Sequence, residues 1–166
     1  MSRPSSAERP GPGQLSVWDF PRPPRVEREP RHVRLVLGDH LIAESRNALR
    51  VLETSHPPTI YLPRDAFRPG ALRDAEGTSF CEFKGVARYH DLVADDRVAE
   101  HAGWSYPLPA GAFAELKDHV AVYPSRVDEA WLGDERVQAQ AGDFYGGWIT
   151  KELVGPFKGG PGTRGW

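Results

Sequence analysis

His32-Val33-Arg34-Leu35-Val36-Leu37-Gly38-Asp39-His40-Leu41-Ile42-Ala43 decides the fold class. Its first half is β-branched and alternating, the period of a strand with one buried face. Gly38-Asp39-His40 supplies a short turn into a second apolar run, so the stretch reads as a hairpin. The same signature recurs downstream. Ala48 to Glu53 reads as a third strand, with Leu49, Val51 and Glu53 on one face. His56-Pro57-Pro58 interrupts it, Thr59-Ile60-Tyr61-Leu62 resumes, and Pro63 ends that strand. Residues 64–77 are polar and punctuated by Gly and Pro, with one helical turn near Asp65-Ala66-Phe67. Ser79 to Phe83 and Val86 to His90 flank Lys84-Gly85 like two strands around a sharp bend, and Asp95-Asp96 marks a surface turn. Ala112 to Lys117 suits a short helix, and His119 to Tyr123 is a strand ended by Pro124. Val127 to Val137 holds a strand or turn pair around Gly133-Asp134-Glu135. Short strands at regular spacing predict a mainly β protein, a small, strongly bent barrel or sandwich with short helical turns and extended ends.

Outside this body the composition changes. Residues 1–30 carry Pro4, Pro10, Pro12, Pro21, Pro23, Pro24 and Pro30, a density that removes donors and predicts a flexible leader. Val17-Trp18-Asp19-Phe20 is the exception, with two aromatics suited to docking on the folded part. The domain proper spans 31–137. Residues 138–166 form a Gly-rich extension that includes Gly142-Asp143-Phe144-Tyr145-Gly146-Gly147-Trp148 and keeps large rings. It is expected to be ordered, packing on the body or on a second subunit as a homodimer.

Composition excludes several classes. Gly 17 and Pro 16 make about a fifth of 166 residues, against a helical bundle. One cysteine forbids an internal disulfide framework and an all-cysteine zinc site. A formal net charge of −2 gives no basis for nucleic-acid binding, and no apolar run reaches membrane-span length. A cytoplasmic protein without cofactor is the expectation. The six histidines are dispersed, so no metal site is expected; His90 and His101 could meet across strands. Gly159-Gly160-Pro161-Gly162 lacks the spacing of a phosphate loop.

Cys81 with Lys84 is the densest reactive cluster. An ammonium beside a thiol favours the thiolate, which makes a nucleophile or redox sensor, whereas a buried cysteine is simply a small hydrophobe. In a regular strand positions 81 and 84 face opposite ways, so they converge only if Gly85 permits a bend. Trp104-Ser105-Tyr106-Pro107 suits either a pocket wall or a plug at the end of the β body. Glu53, Arg64 and Lys84 sit in or beside apolar strands, and a Glu53–Arg64 or Glu53–Lys84 pair would offset their burial.

Leu41-Ile42-Ala43-Glu44-Ser45, Arg50-Val51-Leu52-Glu53-Thr54, Tyr61-Leu62-Pro63-Arg64, Cys81-x-x-Lys84-Gly85, Ala87-x-Tyr89 and Trp104-Ser105-Tyr106-Pro107 together resemble domain of unknown function family 427 (DUF427). That bacterial family is sometimes labelled nucleotidyltransferase-like. The resemblance covers residues 32–137, and the tail from Tyr145 to Trp166 is similar to the Gly/Trp-rich extension of actinobacterial members. It implies a bent β-tent, similar in outline to the cereblon ligand-binding domain and to methionine sulfoxide reductase B. The four-cysteine zinc of such folds has no counterpart here. The family often shows Cys-Pro-x-Lys-Gly where this chain reads Cys81-Glu82-Phe83-Lys84-Gly85. The nucleotidyltransferase label would need paired metal-binding carboxylates, and only Asp95-Asp96 pairs up. The function expected first is small-molecule binding, of an anionic or aromatic ligand, by Glu53, Tyr61, Arg64, Cys81, Lys84, Tyr89, Trp104 and Tyr106. An enzyme using Glu53 as base or Cys81 as nucleophile with Lys84 is the alternative. An assembly module acting through the aromatic tail is a third.

Overall fold

The structure is a computed structural model describing residues 3–142 and 144–166; Met1 and Ser2 of the expected leader and Asp143 of the Gly-rich stretch lie outside the described residues. The strands in chain order are β1 (Leu15–Ser16), β2 (Arg25–Glu29), β3 (Val33–Leu37), β4 (His40–Ser45), β5 (Ala48–Leu52), β6 (Thr59–Pro63), β7 (Leu72–Cys81) and β8 (Gly85–Ala94). They continue as β9 (Arg97–Ser105), β10 (His119–Val122), β11 (Glu129–Leu132), β12 (Glu135–Arg136), β13 (Gln138–Ala139), β14 (Trp148–Ile149) and β15 (Leu153–Val154). Among the described residues the helical segments are short 3-10 stretches, including Arg64–Ala66 and Gly111–Leu116, the latter where the sequence predicts a short helix. No helix of the described residues is long and apolar enough to cross a membrane.

The mainly β expectation holds, but the barrel does not close. Seven strands run in the order β2-β5-β6-β10-β9-β8-β7, an open sheet with β2 and β7 at its edges, and β12-β11-β3-β4 form a second sheet. Val33, Leu35 and Leu37 of the first hairpin face Ile60, Leu62, Leu92, Val120 and Val122 across one buried core. The opposite face of the large sheet carries a second core of Leu49, Val51, Tyr61, Ala87, Tyr106 and Ala121, covered by Phe113 and Leu116 of the 3-10 turn. Register shifts at Asp74/Thr78 and at His90/Leu92 bend the β7–β8–β9 end of the sheet.

Two segments depart from the sequence reading. The stretch expected as a flexible leader contributes β1, a 3-10 turn over Val17–Asp19, and the edge strand β2. Ser16 caps that turn by accepting a hydrogen bond from the Trp18 amide, and Val17, Trp18 and Phe20 are buried with Leu52 and Leu153. The proline count misled because Pro21, Pro23 and Pro24 punctuate only the link between the turn and β2. The second is β7, which begins at Leu72, inside the stretch read as an irregular polar connection. As an edge strand it carries Arg73, Asp74 and Glu76 toward solvent and so loses the apolar alternation that identifies strands.

The C-terminal residues pack on the body of the same chain. β15 pairs in parallel with β1, Leu15 opposite Leu153, and the Trp18 and Trp166 rings meet edge to face at 5.2 Å between centroids. Trp148 is 1% exposed, its backbone amide bonded to the Pro58 carbonyl and its indole N–H to the Val122 carbonyl.

Candidate functional site

Register assembles the site. Leu49 lies opposite Tyr61, Tyr61 opposite Ala121, Ala121 opposite Trp104, and Trp104 opposite Tyr89. Directly opposed residues in a ladder share a face, so five strands present one continuous row. Ala121 is the small member, and the Tyr61 and Trp104 rings stand on either side of it, 6.3 Å apart and edge to face. Above this row lies a cavity of about 280 Å³. Its floor is Val51, Tyr61, Tyr89, Trp104, Tyr106 and Tyr123; one wall is the β7–β8 hairpin tip, Cys81 to Lys84. Glu53, His56 and Pro57 close a second side, and Gln140, Tyr145, Gly146 and Lys158 of the extension form the third.

Of the residues proposed from sequence, Glu53, Tyr61, Cys81, Lys84, Tyr89, Trp104 and Tyr106 line this cavity and Arg64 does not. Arg64 follows Tyr61 by three positions, an odd step, and the 3-10 turn it enters carries its guanidinium to 3.9 Å from Asp74. The expected Glu53–Arg64 and Glu53–Lys84 pairs are absent among the described residues. Glu53 instead meets Arg22 at 3.2 Å and lies 3.6 Å from His56.

The bend required at Gly85 is present. Its φ of +107° is one that side-chain-bearing residues rarely adopt, and it folds the tip so that Lys84 Nζ comes 3.5 Å from Cys81 Sγ. Lys84 is 8% exposed. Its ammonium lies 5.7 Å from the Phe113 centroid and 5.9 Å from that of Tyr106, and no carboxylate pairs with it among the described residues. Cation–π contact offsets a fraction of the several kcal/mol that desolvating an ammonium costs. Burial pushes the Tyr61 and Tyr106 hydroxyls up in pKa, so both remain protonated donors throughout the physiological range. The Trp104 indole interacts with both phenols.

His56 shows how the extension is wired into the site, and sequence reading missed it as a mere strand breaker. The Gln140 side-chain oxygen accepts from the Gly147 amide at 3.0 Å, and its NH₂ donates to the Lys158 carbonyl at 2.6 Å. These bonds fix the amide orientation, so the NH₂ also faces His56 Nδ1 at 3.3 Å. His56 Nδ1 is therefore the acceptor, and the ring's N–H is on Nε2, toward Glu53. Burial lowers the His56 pKa to about 4, with Lys158, Arg22 and Lys84 adding to the effect against Glu53, so the ring is neutral at pH 7.

The other face of the same strands holds a chain with the order of a hydrolase triad. Asp74 Oδ1 lies 3.0 Å from His90 Nδ1, and His90 Nε2 lies 2.7 Å from Ser105 Oγ. His90 and Ser105 alternate with Tyr89 and Trp104 and so point away from the cavity, and Ser105 is 5% exposed. The chain links β7, β8 and β9 where the register shifts. His101 does not reach His90. It stacks on Tyr89 at 5.2 Å instead. Among the described residues no group of three or more His, Cys, Asp or Glu is placed to hold a metal ion.

A family model described as Domain of unknown function (DUF427) matches residues 25–133. The match spans β2 to the turn after β11 and so includes the cavity floor and the hairpin tip, while Gln140, Tyr145, Gly146 and Lys158 lie beyond it. No curated protein matches the chain.

Proposed function

The chain belongs to the DUF427 family, a domain of unknown function, and from that premise we propose that its cavity binds a small molecule with a planar ring and an anionic group. The anion sits at Lys84, and the ring lies among Trp104, Tyr106 and Tyr61. One observation carries this reading: Lys84 is buried against the cavity with a thiol and two ring faces for company and no carboxylate among the described residues. A bound anion would supply the missing counter-charge, and the phenol hydroxyls would donate to it. The volume suits a small metabolite, at the lower end of ligand cavities.

The test uses benzoate, phenyl phosphate, benzyl alcohol and benzylamine, followed by tryptophan fluorescence and thermal shift. The aromatic anions are expected to quench fluorescence and raise Tm, with roughly tenfold weaker binding in Lys84→Gln and in Trp104→Ala. Equal binding of the amine or the alcohol, or full binding by Lys84→Gln, defeats the reading.

A second reading, an enzyme acting from the same pocket, draws support from Cys81 lying at the cavity wall beside a cation. Lys84 would then stabilise negative charge developing on an acyl group attacked by the thiolate. Faster alkylation by iodoacetamide in the folded than in the unfolded chain is its signature. A thiol that reacts only on unfolding removes it.

A further inference from the structure

We propose that Cys81 and Lys84 form an oxidative cross-link, a reversible sulfur–nitrogen bond made when a hydroperoxide enters the cavity. Three placements support it. The sulfur and nitrogen stand 3.5 Å apart, held by the folded tip between β7 and β8. Lys84 is more than nine-tenths buried with its amine directed at the thiol, and no carboxylate competes for it among the described residues. Cys81 is half-buried and borders the cavity, so a small oxidant reaches the sulfur without unfolding.

The chemistry balances with peroxide as the oxidant. The thiolate sulfur attacks hydrogen peroxide; the O–O bond breaks, an S–O bond forms, and the expelled hydroxide takes a proton from the Lys84 ammonium and leaves as water, giving a sulfenic acid at Cys81. Lys84, now a neutral amine, then supplies its nitrogen lone pair to that sulfur. The S–N bond forms as the S–O bond breaks, and the departing hydroxide takes a proton from the nitrogen to become the second water. Sulfur is oxidised, peroxide is reduced to two waters, and the chain loses two hydrogens. Two equivalents of an external thiol reverse the bond and emerge as a disulfide. The consequence rests on the binding reading above: cross-linking removes the ammonium from the cavity wall, and anion binding ceases while the link persists.

The experiment treats the full chain with a small excess of hydrogen peroxide and measures intact mass, tryptic peptides and benzoate affinity. The expected product is about 2 Da lighter per chain, resists tryptic cleavage after Lys84, and reverts on both counts with dithiothreitol. Lys84→Gln should instead become about 16 Da heavier and react with dimedone, as an untrapped sulfenic acid does. The proposal is overturned if the parent chain gains oxygen as Lys84→Gln does, keeps its cleavage at Lys84, or is unchanged. It is equally overturned if Cys81→Ser shows the same loss or if the loss occurs only in a disulfide-linked pair of chains. Benzoate titration of untreated protein separates the two ideas. A cross-link in a protein that never binds benzoate leaves the bond and removes the binding reading, whereas benzoate binding without a cross-link does the reverse. If both stand, oxidised protein binds benzoate roughly tenfold more weakly.

Discussion

Lys84 occupies a position where an apolar side chain of similar length would pack more cheaply. Replacing a buried, poorly compensated charge by a fitting hydrophobe is often neutral or stabilising by about 1–4 kcal/mol. Lys84→Met is therefore expected to melt at the same or a higher temperature while losing roughly tenfold in benzoate affinity. A marked fall in Tm would assign the lysine to the architecture instead. His56 gives a prediction in pH. Its folded pKa of about 4 lies below the unfolded value near 6.5, so the unfolded chain takes up a proton first on acidification. The contribution is whole above pH 6.5 and falls away as pH drops toward 4, by about 3 kcal/mol in all. Urea unfolding between pH 7.5 and 4.5 should show this slope, and His56→Gln should flatten it. Cys81 and Lys84 were legible as a pair because Gly85 announced the bend. Arg64 was not, because a short 3-10 turn after β6 redirects its side chain without a mark in the pattern.

Among elements, the Gly146-Gly147 pair shows why an aromatic extension needs glycine. A Cβ on Gly146 would come 2.4 Å from Cη2 of Trp104, and one on Gly147 would come 2.5 Å from Gln140 and from Pro57. The backbone itself is thus packed against the cavity's rings. Gly146→Ala should displace Trp104, cost about 1–3 kcal/mol in urea unfolding, and alter the fluorescence response to benzoate. The Asp74–His90–Ser105 brace predicts the contrary pairing of effects. Ser105→Ala strands a buried imidazole nitrogen and should cost about 1–3 kcal/mol while leaving benzoate affinity unchanged, as calorimetry can check. The central strands were readable because they alternate or run apolar between two cores. The first part of β7 and all of β2 were not, since edge strands exposed to water need no apolar period and Arg25 to Glu29 is almost wholly charged.

At the scale of the molecule, the family-matched part supplies the cavity floor and the later residues supply a wall. Residue types led to the expectation that aromatic and charged side chains share a pocket, but not that Gln140, Tyr145 and Lys158 line it, because those contacts depend on where a glycine-rich chain returns. A chain ending at Val137 would lose Trp148 from the core it shares with Ile60, Leu62 and Val122. Losing a buried tryptophan alone costs about 3–5 kcal/mol, so circular dichroism should show a far lower Tm, with no benzoate binding. The parallel pairing of Leu15 with Leu153 ties the first strand to the last. Such a contact cannot form until Leu153 has left the ribosome, and contacts so distant in sequence are also slow to close. The third wall of the cavity is accordingly in place only once a late-made segment has folded back on the residues made first.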